Sequence, residues 1–262
     1  MKFGLSTACL YPQQTEKTIE YYCSHGVQVC EIFVNTFSEI ERGYVKNLHT
    51  ICDAAGLAIV SLHPFTSGFE PFMMFSDYPR RFDDFLEMHK LYFESCAILG
   101  GSIFVLHGDR RESNCPDERY FERYYRLFEL GKTYGVLVAQ ENVVRCRSHS
   151  AEFITKMRAA LGQDVCFVLD IKQAVRAKQD VFDMVQAMGQ RLVHLHLSDH
   201  NGQADCLPIG KGTLDMKRLF ALLQRVGFDG NVIIELYREN FNEIDELISS
   251  ISHLESYNKG HK

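Results

Sequence analysis

The chain has no basic tract, no long apolar run and no CxxC pair, and each absence narrows what it can be. Lysine and arginine number 28 against 34 aspartates and glutamates, a formal net charge of −6, and the densest basic stretches, "PRRF" and "DRRESN", hold two arginines each. A domain built to grip a nucleic-acid backbone carries a basic patch or stripe; no nucleic-acid partner is expected. No apolar run approaches the ~18 residues that a membrane span needs, and the opening "MKFGLSTACLYPQQTEK" has too short an apolar core for a secretory signal. The nine cysteines are scattered, and several (Cys30, Cys96, Cys166) fall on apolar-patterned segments. They read as reduced, buried residues, which predicts a cytoplasmic protein. No GxGxxG follows the first apolar run, which counts against an open dinucleotide-binding sheet. With no linker, low-complexity tract or change of composition, residues 1–262 read as one domain.

What is present is a repeat of pattern. Short apolar runs stand at 2–8 ("KFGLSTA"), 27–33, 57–63, 102–108, 136–142, 165–171, 192–199 ("LVHLHLSD") and 232–237 ("VIIELY"). Between them lie stretches such as "YVKNLHTICDAAG" and "MKRLFALLQRVG", in which apolar residues recur at three- and four-residue spacing, the period of an amphipathic helix. Several end at Gly26, Gly56, Gly100, Gly135, Gly162 or Gly227, where a left-handed cap closes the helix. Eight strand-helix units of roughly 33 residues each predict an α/β fold, a closed (β/α)8 TIM barrel in a single domain.

In such a barrel side chains alternate between the helix layer and the interior, and active sites gather at the C-terminal ends of the strands. The residues found there are Glu31, His63, His107, Glu141, Asp170, His196 and Glu235, one each on strands 2 to 8. Alternation turns Leu195 and Leu197 toward the helices and His194, His196 and Ser198 inward; it likewise turns Asp170 and Glu235 inward. Any one of these is ordinarily a hydrogen-bonded residue at a strand end. Three or four carboxylates buried at one mouth without a cation would cost several kcal/mol each or force protonation, and a divalent metal removes the difficulty. Glu141, Asp170, His196 and Glu235 form an oxygen-rich set that favours Mn²⁺, Mg²⁺ or Co²⁺ over a thiolate-type zinc site, with Zn²⁺ or iron as the alternatives.

The segments "ENVV" (141–144), "LDIKQ" (169–173), "HLSD" (196–199), "PIGKGTLD" (208–215) and "GFDGNVIIELY" (227–237) resemble those of the xylose-isomerase-like barrels. These comprise sugar and sugar-phosphate isomerases and epimerases, with the endonuclease IV branch as a relative. The resemblance runs through nearly the whole chain in order. It implies one divalent metal ion held by Glu141, Asp170, His196 and Glu235, with Glu141 and Glu235 doubling as the acid/base pair. Nuclease-type relatives carry extra zinc ligands where this chain has Gln173 and "ADCLP", which leaves out a third metal site. Epimerases of free ketoses place a second glutamate where this chain has Arg147, a departure from that branch.

The expected reaction is proton transfer beside the carbonyl of a sugar, inosose or sugar phosphate, through a metal-stabilised enediolate. His63, His107, Lys172, Gln173 and Arg147 are the candidates for substrate oxygens. His63 and His107 could instead hold a further metal, and Lys172 could equally be a solvated lysine opening a helix. Arg145 and Arg147, after strand 5, could meet a carboxylate or phosphate. The loop 64–79, dense in Phe and Met, reads as a lid that excludes water or as the contact of a homo-oligomer. The alternatives to an isomerase are a phosphodiester metallohydrolase and a barrel that only binds a sugar.

Overall fold

The computed structural model describes residues 1–259. Its eight parallel strands close into a barrel in chain order: β1 (Lys2–Ser6), β2 (Val29–Phe33), β3 (Ala58–His63), β4 (Ile103–Leu106), β5 (Leu137–Glu141), β6 (Cys166–Asp170), β7 (Leu192–Leu197) and β8 (Asn231–Ile234). β1 pairs with β2 on one side and with β8 on the other, so no edge is left. This is the single-domain (β/α)8 barrel that the repeat predicts.

The helices α1 (Thr15–Ser24), α2 (Arg42–Ala55), α3 (Glu70–Met73), α4 (Pro79–Ile98), α5 (Asp117–Lys132), α6 (Ala151–Leu161), α7 (Ile171–Arg176), α8 (Val181–Met188) and α9 (Met216–Arg225) lie between the strands in sequence, and α10 (Ile244–Lys259) follows β8. Their apolar stripes and the outward residues of the strands, among them Leu169, Leu195, Leu197 and Ile234, make one continuous core. Buried tyrosines in that layer spend their hydroxyls on backbone carbonyls: Tyr22 donates to Ser6 O (2.9 Å) and Tyr124 to Val138 O (2.6 Å). The barrel interior is a different environment. Val29, Val60 and Ile233 form a small apolar cluster of their own, and the next inward residues along β2 and β8 are Glu31 and Glu235.

Four strands leave the ladder at least two residues earlier than their apolar runs suggest. β4 ends at Leu106 and β8 at Ile234, so His107 and Glu235 are the first residues beyond their strands. Side chains take over from the neighbouring backbone there. The amides of His107 and Gly108 donate to the carboxylate of Glu70, and Leu236 N donates to Cys9 Sγ (3.4 Å). Gly108 has φ 91° and lies against the Tyr120 hydroxyl, where a Cβ would clash. That left-handed, crowded position admits only glycine without strain. β1 and β7 stop at Ser6 and Leu197.

Candidate active site

The mouth of the barrel is a cavity of about 580 Å³, within the size range of small-molecule sites. Its wall includes His63, His107, Glu141, Arg145, Lys172, Gln173 and Glu235. Strand geometry brings the carboxylates together: Asp170 pairs in register with His196, and Glu141 with Val168 of β6. One ligand atom each from Glu141, Asp170, His196 and Glu235 falls within 4.8 Å of the others. His196 Nδ1 is the hub, 3.2 Å from Glu141 Oε1, 3.6 Å from Glu235 Oε2 and 3.9 Å from Asp170 Oδ2.

The opposite edge of the His196 ring explains why Nδ1 faces that way. Its Nε2 lies 3.1 Å from Glu31 Oε2, an oxygen shared with His194 Nε2 (3.0 Å) and the Ser61 hydroxyl (2.8 Å). Glu31 is wholly buried, and burial would push it up. The positive charge and hydrogen bonds of His196 and His194 overcome this and hold it well below the usual carboxylate range. A carboxylate that takes Nε2–H leaves Nδ1 of a neutral ring as a bare lone pair pointing at three carboxylates, an orientation found behind metal-bound histidines.

Charge makes the same case. Glu141, Asp170 and Glu235 carry three negative charges when ionised, and Lys172, buried beside them, hydrogen-bonds to both Asp170 Oδ2 and Glu235 Oε2. One ammonium against three carboxylates leaves two negative charges, which a divalent cation at the four residues would match. Without one, burial pushes Asp170 up to about 7 against the pull of Lys172. His196, which burial would lower, is held well above the ordinary imidazole range by Glu31 and Glu235. The donor set fits a hard divalent ion.

A second group, His63, His107 and Glu141, is also close enough to hold an ion. Here a neighbour assigns the protons. Arg145 Nη2 lies 3.2 Å from His107 Nδ1, and a guanidinium can only donate. His107 Nδ1 is therefore an acceptor, burial keeps the ring neutral by lowering its pKa, and the protonated Nε2 meets His63 Nε2 at 3.0 Å, with Glu141 Oε2 beside it at the same distance. In this arrangement His107 and His63 together flank Glu141. Burial would raise Glu141, but His107, His196 and His63 together hold it well below the usual range.

Of the remaining residues singled out from the sequence, Gln173 lines the cavity and accepts from Val144 N through Oε1 (3.0 Å). Arg147 is placed apart from the cavity wall. It is drawn to Asp117 and to Cys115 O and lies over the rings of Tyr120 and Phe153. Arg145, two residues earlier, lines the cavity in its place. The loop 64–79 contributes Phe65 and Ser67 to the wall and is anchored from within: Arg123 donates to Met74 O and Ser76 O, and Glu70 accepts the two amides after β4.

Glu70 was not evident as a site residue, although a lone acid inside "GFEPFMMF" must either protrude or find buried donors. Burial raises its carboxyl to about 8, against the opposing effect of the Gly108 and His107 amides and of Arg145. The folded chain thus holds this proton more tightly than the unfolded chain, where glutamate titrates near ~4.3. The resulting stability is fully present below that lower value and is lost as pH rises through about 8. In urea melts from pH 5 to 9 the parent is expected to lose a few kcal/mol more than Glu70→Gln, which keeps an acceptor oxygen and cannot ionise; each tenfold difference in proton affinity between the folded and unfolded chain is worth about 1.4 kcal/mol. Parallel pH profiles for the two proteins would show that Glu70 holds no such proton.

Known proteins share this architecture. An uncharacterized protein of Mycobacterium tuberculosis is 24% identical over 281 residues, spanning 96% of this chain and 94% of its own. Fructoselysine 3-epimerase of Escherichia coli is 22% identical over 220 residues, 78% of each chain. Among solved structures, a D-tagatose 3-epimerase-like protein superposes with a TM-score of 0.81 at 22% identity, covering 99% of this chain and 97% of that one. D-psicose 3-epimerase of Clostridium cellulolyticum, solved with D-tagatose, gives 0.79 at 14% identity, with 98% and 99% covered. These structural likenesses show the fold. The family model described as xylose isomerase-like TIM barrel matches residues 19–257, and the chain belongs to that family.

Proposed function

We propose that the protein is a metal-dependent isomerase or epimerase of a carbohydrate, with Glu141 and Glu235 as its acid/base pair. The observation that carries this reading is that both glutamates line one cavity and approach the same His196 nitrogen, at 3.2 and 3.6 Å. A divalent ion at Glu141, Asp170, His196 and Glu235 would supply Lewis acidity toward a carbonyl and its neighbouring hydroxyl. Sugar 3-epimerases among the relatives and structural neighbours support the same class.

The two glutamates are not equivalent. Glu141 is engaged at both oxygens, by His196 and by His107, and its side chain is 3% exposed. Glu235 is 11% exposed, and only its Oε2 is engaged, by Lys172; among the described residues Oε1 makes no hydrogen bond. Burial would raise Glu235, but the charges of Lys172 and His196 bring it below the usual range, so it is ionised at neutral pH. Glu235 Oε1 is therefore the base that takes the proton beside the carbonyl. Glu141 then holds or returns a proton through the oxygen it shares with His107. For proton return at the same carbon the outcome is epimerisation, and at the adjacent carbon isomerisation.

The test is solvent exchange. Protein loaded with Mn²⁺, Mg²⁺ or Co²⁺ and incubated in D₂O with ketoses, inososes and sugar phosphates is expected to place deuterium on the carbon next to the carbonyl. Dialysis against a chelator is expected to abolish exchange, and adding the metal back to restore it. Exchange that is equally fast after verified metal removal would refute the metal-dependent mechanism, and no exchange on any member of the panel the isomerase reading.

A further inference from the structure

We propose that Arg145 is the receptor for an anionic group on the substrate, so that the protein acts on an acidic carbohydrate, carrying a carboxylate or a phosphate, in preference to a neutral ketose. This rests on the carbohydrate isomerase reading of the same cavity.

Two arginines near the cavity have acidic partners: Arg147 pairs with Asp117 and Arg176 with Asp205. Arg145 does not. Its guanidinium lines the cavity, its side chain is exposed there, and among the described residues it makes no ion pair. Its contacts are Ser67 Oγ at 3.4 Å and His107 Nδ1 at 3.2 Å, both through Nη2. Nε and Nη1 make no hydrogen bond among the described residues, so their three N–H donors in a planar fork are unspent, the arrangement that matches a carboxylate or phosphate edge. Glu70, the acid whose charge acts on this side, spends its oxygens on the amides of His107 and Gly108, and burial favours its neutral form.

The other cation of the cavity wall, Lys172, is occupied by Asp170 and Glu235. With a divalent ion in place, that ion and Lys172 balance the three carboxylates of the ligand set, Glu31 lies behind the His196 ring and off the cavity wall, and Arg145 is the cation of the wall left without an acidic partner. Such a charge draws the anionic end of a substrate to that side of the cavity. Distance also fits: Arg145 is separated from Glu141 by one imidazole ring, with contacts of 3.2 and 3.0 Å at its two nitrogens. A single sugar could place its carbonyl at the glutamates and its acidic end at the arginine.

Titration calorimetry on metal-loaded parent, Arg145→Gln and Arg145→Lys with D-fructose, D-fructose 6-phosphate and D-fructuronate tests this. The parent is expected to bind at least one of the two acids about 100-fold more tightly than fructose, and which one it prefers distinguishes phosphate from carboxylate. R145Q is expected to lose that preference while its affinity for fructose changes less than threefold, and R145K to recover part of it. Binding of neither acid in preference to fructose by the parent overturns the proposal. So does an equal loss for all three ligands in R145Q, which is what a role confined to positioning His107 would produce. Deuterium exchange is read separately: acids that bind through Arg145 without exchanging leave this inference standing, and no exchange on any ketose, inosose or sugar phosphate refutes the isomerase reading.

Discussion

Glu235→Gln is expected to slow solvent deuterium exchange by about 10³-fold while leaving metal content near the parent's. The size of the effect follows from what is removed. A positioned base contributes typically 10²–10⁴-fold, and Glu235 combines the free Oε1 with a carboxylate held ionised by Lys172 and His196. Glutamine keeps the shape and an oxygen able to ligate a cation, so loss of proton transfer is separated from loss of the ion. Exchange followed by proton NMR and metal content by plasma mass spectrometry give the two readings. Exchange within tenfold of the parent, with metal bound, would remove Glu235 from the role of base. Glu141→Gln is expected to show a smaller loss in exchange if Glu141 acts chiefly in returning the proton, and a comparable one in conversion to product.

The candidate site divides into residues that a linear pattern reveals and residues that it does not. His196, Asp170 and Glu141 were legible because strand periodicity is rigid: once Leu169, Leu195 and Leu197 face the helices, their neighbours must face inward. The fold was legible for the same reason, since among the described residues the first seven units repeat the strand period, then the helix period, then a glycine of positive φ. Loops have no such period. Nothing local distinguishes Arg145 from Arg147, and the choice is made by Asp117, thirty positions away, which removes Arg147 from the cavity. Glu31 was legible as an inward residue, but its work depends on His194 and His196, more than 160 positions along the chain. Glu70 depends on two amides released where β4 ends early. In each case the missing information was the identity of a distant partner.

Lys172→Met is expected to destabilise the metal-free protein by about 3–5 kcal/mol, the usual consequence of removing one partner from a buried ion pair, and divalent metal is expected to restore most of that loss. Lys172 is almost fully buried and its ammonium contacts Asp170 and Glu235; burial alone would lower its pKa, and those two carboxylates reverse the direction and raise it well above the usual lysine range. Methionine preserves most of the volume, so the cost is one of charge and not of a cavity. Without the ammonium, the three carboxylates retain only His196 as a cationic partner in the absence of a metal. When a divalent ion binds, the sign of Lys172's effect reverses, because an ammonium beside the ligand set repels the ion. The variant should therefore bind metal more tightly than the parent and gain more stability from it, since a ligand stabilises the folded state according to its concentration relative to Kd. Urea melts with chelator and with saturating Mn²⁺ measure both effects. A change below about 0.5 kcal/mol without metal would be that of a surface substitution, and would show that Lys172 is solvated in solution; equal metal-induced gains in the two proteins would show that it lies too far from the ion to matter.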